Sequence, residues 1–279
     1  MIIVTDTSSD IYESEAQEMG VELLTLDLAF NDEHIGRNTP ENTVRFYELL
    51  TTTDTFPTTS QPSPEDVIEV FTKAKNTQQE CIYITLSSTI SGTYDTACMI
   101  AQSMDYPHIA VLDSKQAITA QRMVVECAVR LRDEGKTLDE MVPYLENFRD
   151  RVHVMGFIDT LSYLKKGGRI PAPLAALGNM LKIKPTMAIE NGELVSPHKT
   201  RSIAQAKKRI WEDMSQYTFD PDWPIYALYS DEPNRARAFA EETKAQFGIN
   251  DIPLFQSMGV VAAHLGPGCA GFSFVAAEQ

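Results

Sequence analysis

The chain has 279 residues, 43% of them apolar, so it can bury a sizeable core in one large unit or in two interlocked ones. It carries 24 basic and 39 acidic residues, and the net charge of −15 repels a nucleic acid backbone at long range. We therefore expect no nucleic acid partner.

The first half of the chain alternates short apolar runs with longer amphipathic stretches. Thr39 before Pro40 and Ser63 before Pro64 mark helix starts, and Gly20 marks a helix end. This order is typical of an α/β fold with an open, largely parallel sheet. The pattern predicts strands at 2–6, 21–30, 81–88 and 108–114, and helices at 10–19, 40–51, 92–104, 115–135 and 137–149, with a further helix from 64.

A different pattern begins near residue 151, with many Pro and Gly residues and a hairpin turn at Asn191-Gly192. Alternation then resumes and ends in a short helix, a glycine loop and a closing strand. We predict two α/β lobes within a single unit spanning about 1–278, as an N-terminal lobe over 1–150 and a C-terminal lobe over 151–279. The later elements are predicted as helices at 202–216 and 233–247, strands at 224–230 and 252–257, and the closing segment at 259–276.

Small hydroxyl residues are concentrated in four of the loops that join these elements. Such loops, where they lead into helix N-termini, can cradle a carboxylate or a phosphate, although a helix cap is the commonest role of each hydroxyl. Ser91 differs because Gly92 follows it, which lets the backbone approach a ligand while Ser91 and Thr93 can still donate. The four loops are 6–10, 58–61, 87–93 and 113–114.

Two further residues are candidates for contact with a bound anion. Arg169 follows the paired Gly167 and Gly168, so its guanidinium is free to reach a carboxylate. His264 is predicted to lie in the rigid glycine loop 264–268, and a structural role is the commoner one for a single histidine at such a position. None of the five histidines has metal-ligand spacing, and we expect no metal site.

The common catalytic motifs are absent from the sequence. It contains no GxSxG around Ser91, no phosphate-binding GxxxxGK[ST] loop and no GxGxxG after a strand. A Ser91–His264 pair would still permit a serine-dependent acyl hydrolase or transferase, because such pairs are recognised by geometry and not by sequence order. We keep that enzyme as the alternative function.

The four cysteines are widely spaced and include no CxxC pair, which favours a reduced, cytoplasmic protein. The N-terminal MIIVTDTSSD lacks the basic start of a signal peptide, and no apolar stretch reaches the roughly 20 residues of a membrane helix.

Seven sequence blocks stand out in order along the chain: TDTSSDI at 5–11, TTSQPSPEDV at 58–67, SSTISGTYDTA at 87–97, VLDSKQA at 111–117, LSYLKKGGRI at 161–170, GNMLKIKP at 178–185 and AAHLGPGCAG at 262–271. Each block alone is modest, but their order is specific. Together they give the chain a strong resemblance to the DegV family over essentially its whole length.

The resemblance implies a long-chain fatty acid as ligand, held in a tunnel between the two lobes, with no cofactor and no catalysis by this chain. It also implies a partner, the separate ATP-binding subunit of a bacterial fatty acid kinase that acts in phospholipid metabolism, and it admits transient membrane contact. By motif, Thr59 and Ser91 would bind the carboxylate. Secondary contacts to the head group or the kinase are implied for Ser60, Gly92, Thr93, Arg169 and His264.

A third interpretation is an interaction or regulatory protein that uses the lipid only as a signal. Such a protein would bind fatty acid without stimulating the formation of acyl phosphate by any kinase.

Overall fold

The computed structural model describes residues 1–175 and 183–278, and its first half alternates short strands with longer helices. Beside a single 3-10 turn at Thr7–Ser9, the elements are β1 (Ile2–Asp6), α1 (Glu13–Met19), β2 (Val21–Leu24), β3 (Leu28–Phe30), β4 (Glu33–Ile35), α2 (Pro40–Thr52), β5 (Thr58–Thr59), α3 (Pro64–Thr77), β6 (Cys81–Thr85), α4 (Thr93–Ser103), β7 (Ile109–Asp113), α5 (Ile118–Asp133) and α6 (Leu138–Arg151).

The second half contributes most of the antiparallel strands. Its elements are β8 (Val152–Phe157), α7 (Ser162–Lys166), α8 (Ala172–Ala175), β9 (Lys184–Glu190), β10 (Glu193–Val195), β11 (Lys199–Thr200), α9 (Ile203–Met214), β12 (Tyr226–Tyr229), α10 (Pro233–Phe247), β13 (Leu254–Gln256), α11 (Gly259–Leu265) and β14 (Ala270–Val275).

Three sheets organise these strands. The N-terminal sheet has the order β2-β1-β6-β7 and is parallel throughout, as the βα alternation predicts. The C-terminal sheet has the order β10-β9-β8-β14-β12-β13, with β11 also on β9, and within it only β12 and β13 run parallel. A small antiparallel sheet joins β4, β3 and β5. The predicted α/β fold with a parallel N-terminal sheet is confirmed.

The prediction of one strand over 21–30 is wrong. The chain leaves the N-terminal sheet after Leu24, and β3 then pairs in the small sheet. At the break, Thr7 Oγ1 accepts the backbone N–H of Leu26 at 3.0 Å and replaces a strand partner. The break also positions Leu26, which lines a largely apolar cavity together with Thr59 and Ser91.

Helix α5 is the central element of the fold. It packs against β1 and β6 of one sheet and against β8 and β14 of the other. Its buried residues, which include Met123, Val124 and Val125, lie on nearly all sides, as expected of a helix enclosed by two layers. The two sheets therefore share one core, and the division into domains at residues 150 and 151 stays a prediction.

Three of the four cysteines are buried, and all four are free thiols. Within residues 1–175 and 183–278, no helix combines the length and the hydropathy that crossing a bilayer requires.

Candidate binding site

Thr59 owes its position to the short strand β5. Thr59 pairs with Leu28 of β3, which turns the segment 59–61 toward the C-terminal half of the molecule. Its Oγ1 lies 3.3 Å from Nε2 of His264, a residue 205 positions away in the sequence. The small sheet thus brings a hydroxyl against an imidazole.

His264 lies in the last turn of α11 and not, as expected from the sequence, in the glycine loop that comes next. The residue is 9% exposed, and Nδ1 has no hydrogen-bond partner within the described chain. A Cβ on Gly167 would lie 2.0 Å from Nδ1, so only glycine lets the end of α7 approach the ring this closely. Burial, and secondarily the charge of Arg169, lowers the pKa of His264 to about 4, so its imidazole is neutral at neutral pH.

Ser91 lies in the turn that leads into α4. Its backbone N–H donates to the carbonyl of Ser87 at 3.2 Å, and its Oγ lies 2.9 Å from Oγ1 of Thr93. A Cβ on Gly92 would be 3.3 Å from Oε1 of Gln61, so this turn lies beside the segment that comes after Thr59. Two hydroxyl-bearing loops from distant parts of the sequence therefore adjoin.

These groups line one part of a largely apolar cavity whose walls include residues of β5, β8, β9, β10 and β12. About 950 Å³ there is free of protein atoms, part of it open to solvent. Its polar lining includes Thr59, Ser60, Gln61, Ser91, Arg169 and His264. Its other walls are Leu26, Leu86, Ile90, Ala117, Ile118, Val154, Gly156, Ile158, Leu164, Met187, Ala188, Ile189, Leu194, Leu228, Val260, Val261, Leu265 and Cys269. Such a cavity suits an elongated apolar molecule with one polar end.

Comparison with known proteins identifies the family. The family described as "Uncharacterised protein, DegV family" matches residues 1–277. The chain belongs to the DegV family.

Similar proteins match this DegV chain over nearly their whole length. A DegV domain-containing protein of Halalkalibacterium halodurans is 29% identical, with 98% of this chain and 97% of the relative covered. A protein of Thermotoga maritima named "Fatty acid-binding protein" is 26% identical, with 99% and 98% covered. The structure "Fatty Acid Binding of a DegV family Protein from Thermus thermophilus" has a TM-score of 0.86 at 27% identity, with 99% of each chain covered.

Five of the residues that the DegV motifs single out line the cavity, namely Thr59, Ser60, Ser91, Arg169 and His264. Gly92 and Thr93 follow Ser91 at the start of α4 and are not among the residues that line the cavity. Arg169 is exposed, and its guanidinium donates to the carbonyls of Ile90 at 3.3 Å and Gly167 at 3.0 Å. It therefore lies at the solvent side of the polar groups.

The pair that the hydrolase alternative requires is not formed. Among the described residues, Ser91 Oγ has its hydrogen-bond contact with Thr93, whereas the imidazole of His264 is paired with Thr59. A serine activated by His264 would need the imidazole within hydrogen-bond reach of Oγ. The sequence left this pair open because such pairs are recognised by geometry and not by sequence order, and spacing alone could not show which hydroxyl meets the ring.

Sequence reasoning missed Leu26 and Val261 as residues of the cavity, and it gave Gln61 of the loop 58–61 no role of its own. Gln61 accepts a hydrogen bond from Thr96 Oγ1 at 3.2 Å and links the two hydroxyl loops. Leu26 and Val261 come from segments that gave no functional signal. The block GNMLKIKP at 178–185 was also singled out, but residues 176–182 lie outside the described part of the chain.

No group of three His, Cys, Asp or Glu side chains able to hold a metal ion occurs among the residues that the structure describes.

Proposed function

We propose that this DegV protein binds a long-chain fatty acid in the cavity, with the carboxylate at Thr59 and Ser91. The observation that carries the proposal is an apolar cavity with two neutral hydroxyl groups from separate loops in one part of its wall. The names of the Thermotoga and Thermus relatives support the same ligand class.

The tail supplies most of the affinity in this proposal. Burial contributes roughly 0.8 kcal/mol per CH₂ group, so the chain of a long fatty acid outweighs any single head-group contact. Neutral hydroxyls orient the carboxylate without the strong pairing that an arginine would impose. That balance suits a carrier whose ligand must later react or leave.

His264 acts on the carboxylate through Thr59. Because its imidazole is neutral, Nε2–H can donate to Thr59 Oγ1, and the threonine proton is then directed to the ligand. In the other tautomer, Thr59 donates to Nε2 and has no proton for the carboxylate. The bound acid therefore favours the Nε2–H tautomer.

This chain performs no chemistry and presents the carboxylate, in the cytoplasm, to a separate ATP-binding kinase subunit that forms the acyl phosphate. Arg169, at the solvent side of the polar groups, would contact the kinase or the developing phosphate. The 1–150 and 151–279 lobes would hold the acid between them.

The binding proposal predicts that protein purified without added lipid carries one fatty acid per chain. Thr59→Val and Ser91→Ala each remove a hydrogen bond to a charged group, which is worth about 1.5–3 kcal/mol, or roughly 10- to 100-fold in affinity. Native mass spectrometry measures retention, and displacement of a fluorescent fatty acid measures affinity.

Thr58→Val is the matched control, because Thr58 is the exposed neighbour of Thr59 in the same strand and does not line the cavity. Its affinity should equal that of the wild type. A well-folded wild-type protein that neither retains nor takes up fatty acid would exclude the proposal.

Presentation is tested with loaded protein, ATP and a candidate kinase subunit, by assaying acyl phosphate. Formation of acyl phosphate that depends on this chain supports the carrier role. Binding of fatty acid without stimulation of the kinase supports the regulatory interpretation. Hydrolysis of acyl esters that is lost in Ser91→Ala would instead support the hydrolase.

A further inference from the structure

A gap in the C-terminal sheet opens beside the fatty-acid cavity. Pairing between β8 and β9 runs from Phe157 and Thr186 to Met155 and Ala188 and then stops. Beyond that point, β9 continues into its hairpin with β10. The first three residues of β8 therefore have no paired residues in β9, and a space separates the two segments.

Contacts with the N-terminal half hold the hairpin away from β8. Ser87 Oγ donates to the carbonyl of Gly192 at 2.8 Å, and Thr89 Oγ1 donates to the same carbonyl. Gly192 has φ +86°, and a Cβ there would lie 2.8 Å from Ser87 Oγ, so a glycine is required at this contact. The gap is thus fixed by the fold.

The gap adjoins the fatty-acid cavity and leads through the sheet. About 750 Å³ there is free of protein atoms, part of it open to solvent, and both spaces are lined by Val154, Ala188 and Ile189. Because side chains alternate along a strand, Val154 and Ile189 face the fatty-acid cavity, whereas His153 faces the other side of the sheet. We call this space, lined also by Gln116 and Arg149, the sheet slot.

The sheet slot contains an unused acceptor and an unused donor. Gln116 is 5% exposed, and its Nε2 donates to the carbonyl of Val152 at 2.8 Å, in place of the missing strand. Its Oε1 has no hydrogen-bond partner within the described chain, and neither has Nε of Arg149. Buried polar groups are rarely left in this state, so a ligand group that both donates and accepts would match them.

Charges around the sheet slot favour a neutral ligand group. Lys115 is paired with Asp150 at 2.9 Å, and Arg149 lies 3.4 Å from Glu146. Glu190 also lines the slot, and its carboxylate would repel a second carboxylate. A hydroxyl fits this environment better than an ionised group does.

We propose that the sheet slot receives a hydroxyl group carried on the acyl chain, so that this protein binds hydroxylated long-chain fatty acids. The hydroxyl donates to Gln116 Oε1 or accepts from Arg149 Nε–H while the chain lies in the main cavity. This inference rests on the proposed function, because Thr59 and Ser91 hold the carboxylate of a hydroxylated fatty acid as they hold that of an unsubstituted one.

Competition binding with hexadecanoic acid, 16-hydroxyhexadecanoic acid, octadecanoic acid, 12-hydroxyoctadecanoic acid and hexadecanedioic acid tests the inference. In the wild type, at least one hydroxy acid should bind as tightly as its parent, and the diacid at least 10-fold more weakly. Gln116→Leu should weaken that hydroxy acid by roughly 10-fold and leave its parent unchanged, because an unpaired hydroxyl is then buried. Arg149→Lys, which keeps the charge and removes the Nε–H, is a second and independent variant of the slot. It should show the same selective loss of hydroxy acid binding, and it replaces Gln116→Leu as the test if that variant does not fold.

Gln102→Leu on the exposed face of α4 is the control and should leave every ratio unchanged. If both hydroxy acids bind more weakly than their parents by the same factor in the wild type and the slot variants, the inference is wrong. Failure of the proposed function gives a different result, because hexadecanoic acid itself would then not bind.

Discussion

The contact between Gly167 and His264 fixes the imidazole against Thr59. Gly167 ends α7, and its N–H donates to the carbonyl of Tyr163 at 2.9 Å, so the backbone has little room to retreat. Any side chain at this position would displace the ring from the threonine. The position therefore links helix packing to the head-group site.

Gly167→Ala should destabilise the protein by about 1–3 kcal/mol, the range found for overpacking, and should weaken fatty acid binding. The physical reason is the 2.0 Å approach of the new Cβ to Nδ1 of His264. Chemical unfolding gives the first quantity and ligand displacement the second. Gly36→Ala is the control, since a Cβ there would meet Asn42 at 3.7 Å, an ordinary contact. Equal behaviour of the two variants would contradict the argument.

At the residue scale, the sequence singled out residues that line one cavity but did not show which of them are paired, and their contact with a carboxylate stays a prediction. Thr59, Ser91, Arg169 and His264 came from ordered motifs, and all four line one cavity. That His264 meets Thr59 depends on β5, a strand of two residues. So short a strand has no periodicity from which it could be recognised.

Among the elements, α11 depends on a buried carboxyl group at its start. Asp10 is 1% exposed, and its Oδ1 accepts the backbone N–H of Met258, the residue before the helix, at 3.0 Å. Burial raises the pKa of Asp10 well above its usual 3.8. The carboxyl group thus orients the helix that carries His264.

Asp10→Asn should keep an oxygen that accepts the Met258 N–H and remove the carboxyl group that titrates. Because the folded pKa is raised, the stability that protonated Asp10 contributes is lost as pH rises through that pKa, by about 1.4 kcal/mol per unit. Asparagine also tolerates the left-handed φ of 53° at this position. Urea unfolding at pH 5 and pH 8 should show the variant gaining stability over the wild type at the higher pH. A stability difference between the two proteins that does not change with pH would contradict the raised pKa of Asp10.

Elements of regular pattern were predicted well from the sequence, whereas the short strands were not. The apolar runs of β1, β6 and β7 are flanked by helices, and each is a strand of the N-terminal sheet. In contrast, β3, β4 and β5 have two or three residues each, and their pairing depends on tertiary contacts. These are the strands that carry Thr59 to the site.

In the whole molecule, the hydrophobic pattern gave the fold class but not the direction of the C-terminal strands. Both β12 and β14 are apolar runs that resemble buried parallel strands, yet they pair antiparallel because the chain returns through α11 and the glycine turn. Pattern reports burial and not strand direction. The shared core around α5 likewise joins segments that the sequence separates.

The pH dependence of the whole protein should carry a contribution from His153. Its ring lies between Tyr217 and Phe274, at centroid distances of 4.2 Å and 5.3 Å, and burial lowers its pKa from 6.5 to about 4. As the pH falls, the imidazole is therefore protonated in the unfolded chain before it is protonated in the folded protein. The stability that the neutral ring contributes is present above pH 6.5 and is lost as the pH falls toward 4.

His153→Phe keeps the aromatic packing and removes this proton. Relative to the wild type, the variant should gain roughly 2 kcal/mol between pH 7 and pH 4.5, less than the full linkage limit because the ring is partly exposed. Chemical unfolding at half-unit steps measures the difference, and many carboxylates that titrate in the same range cancel in it. Parallel stability curves for the two proteins would show that His153 is protonated equally in the folded and unfolded states.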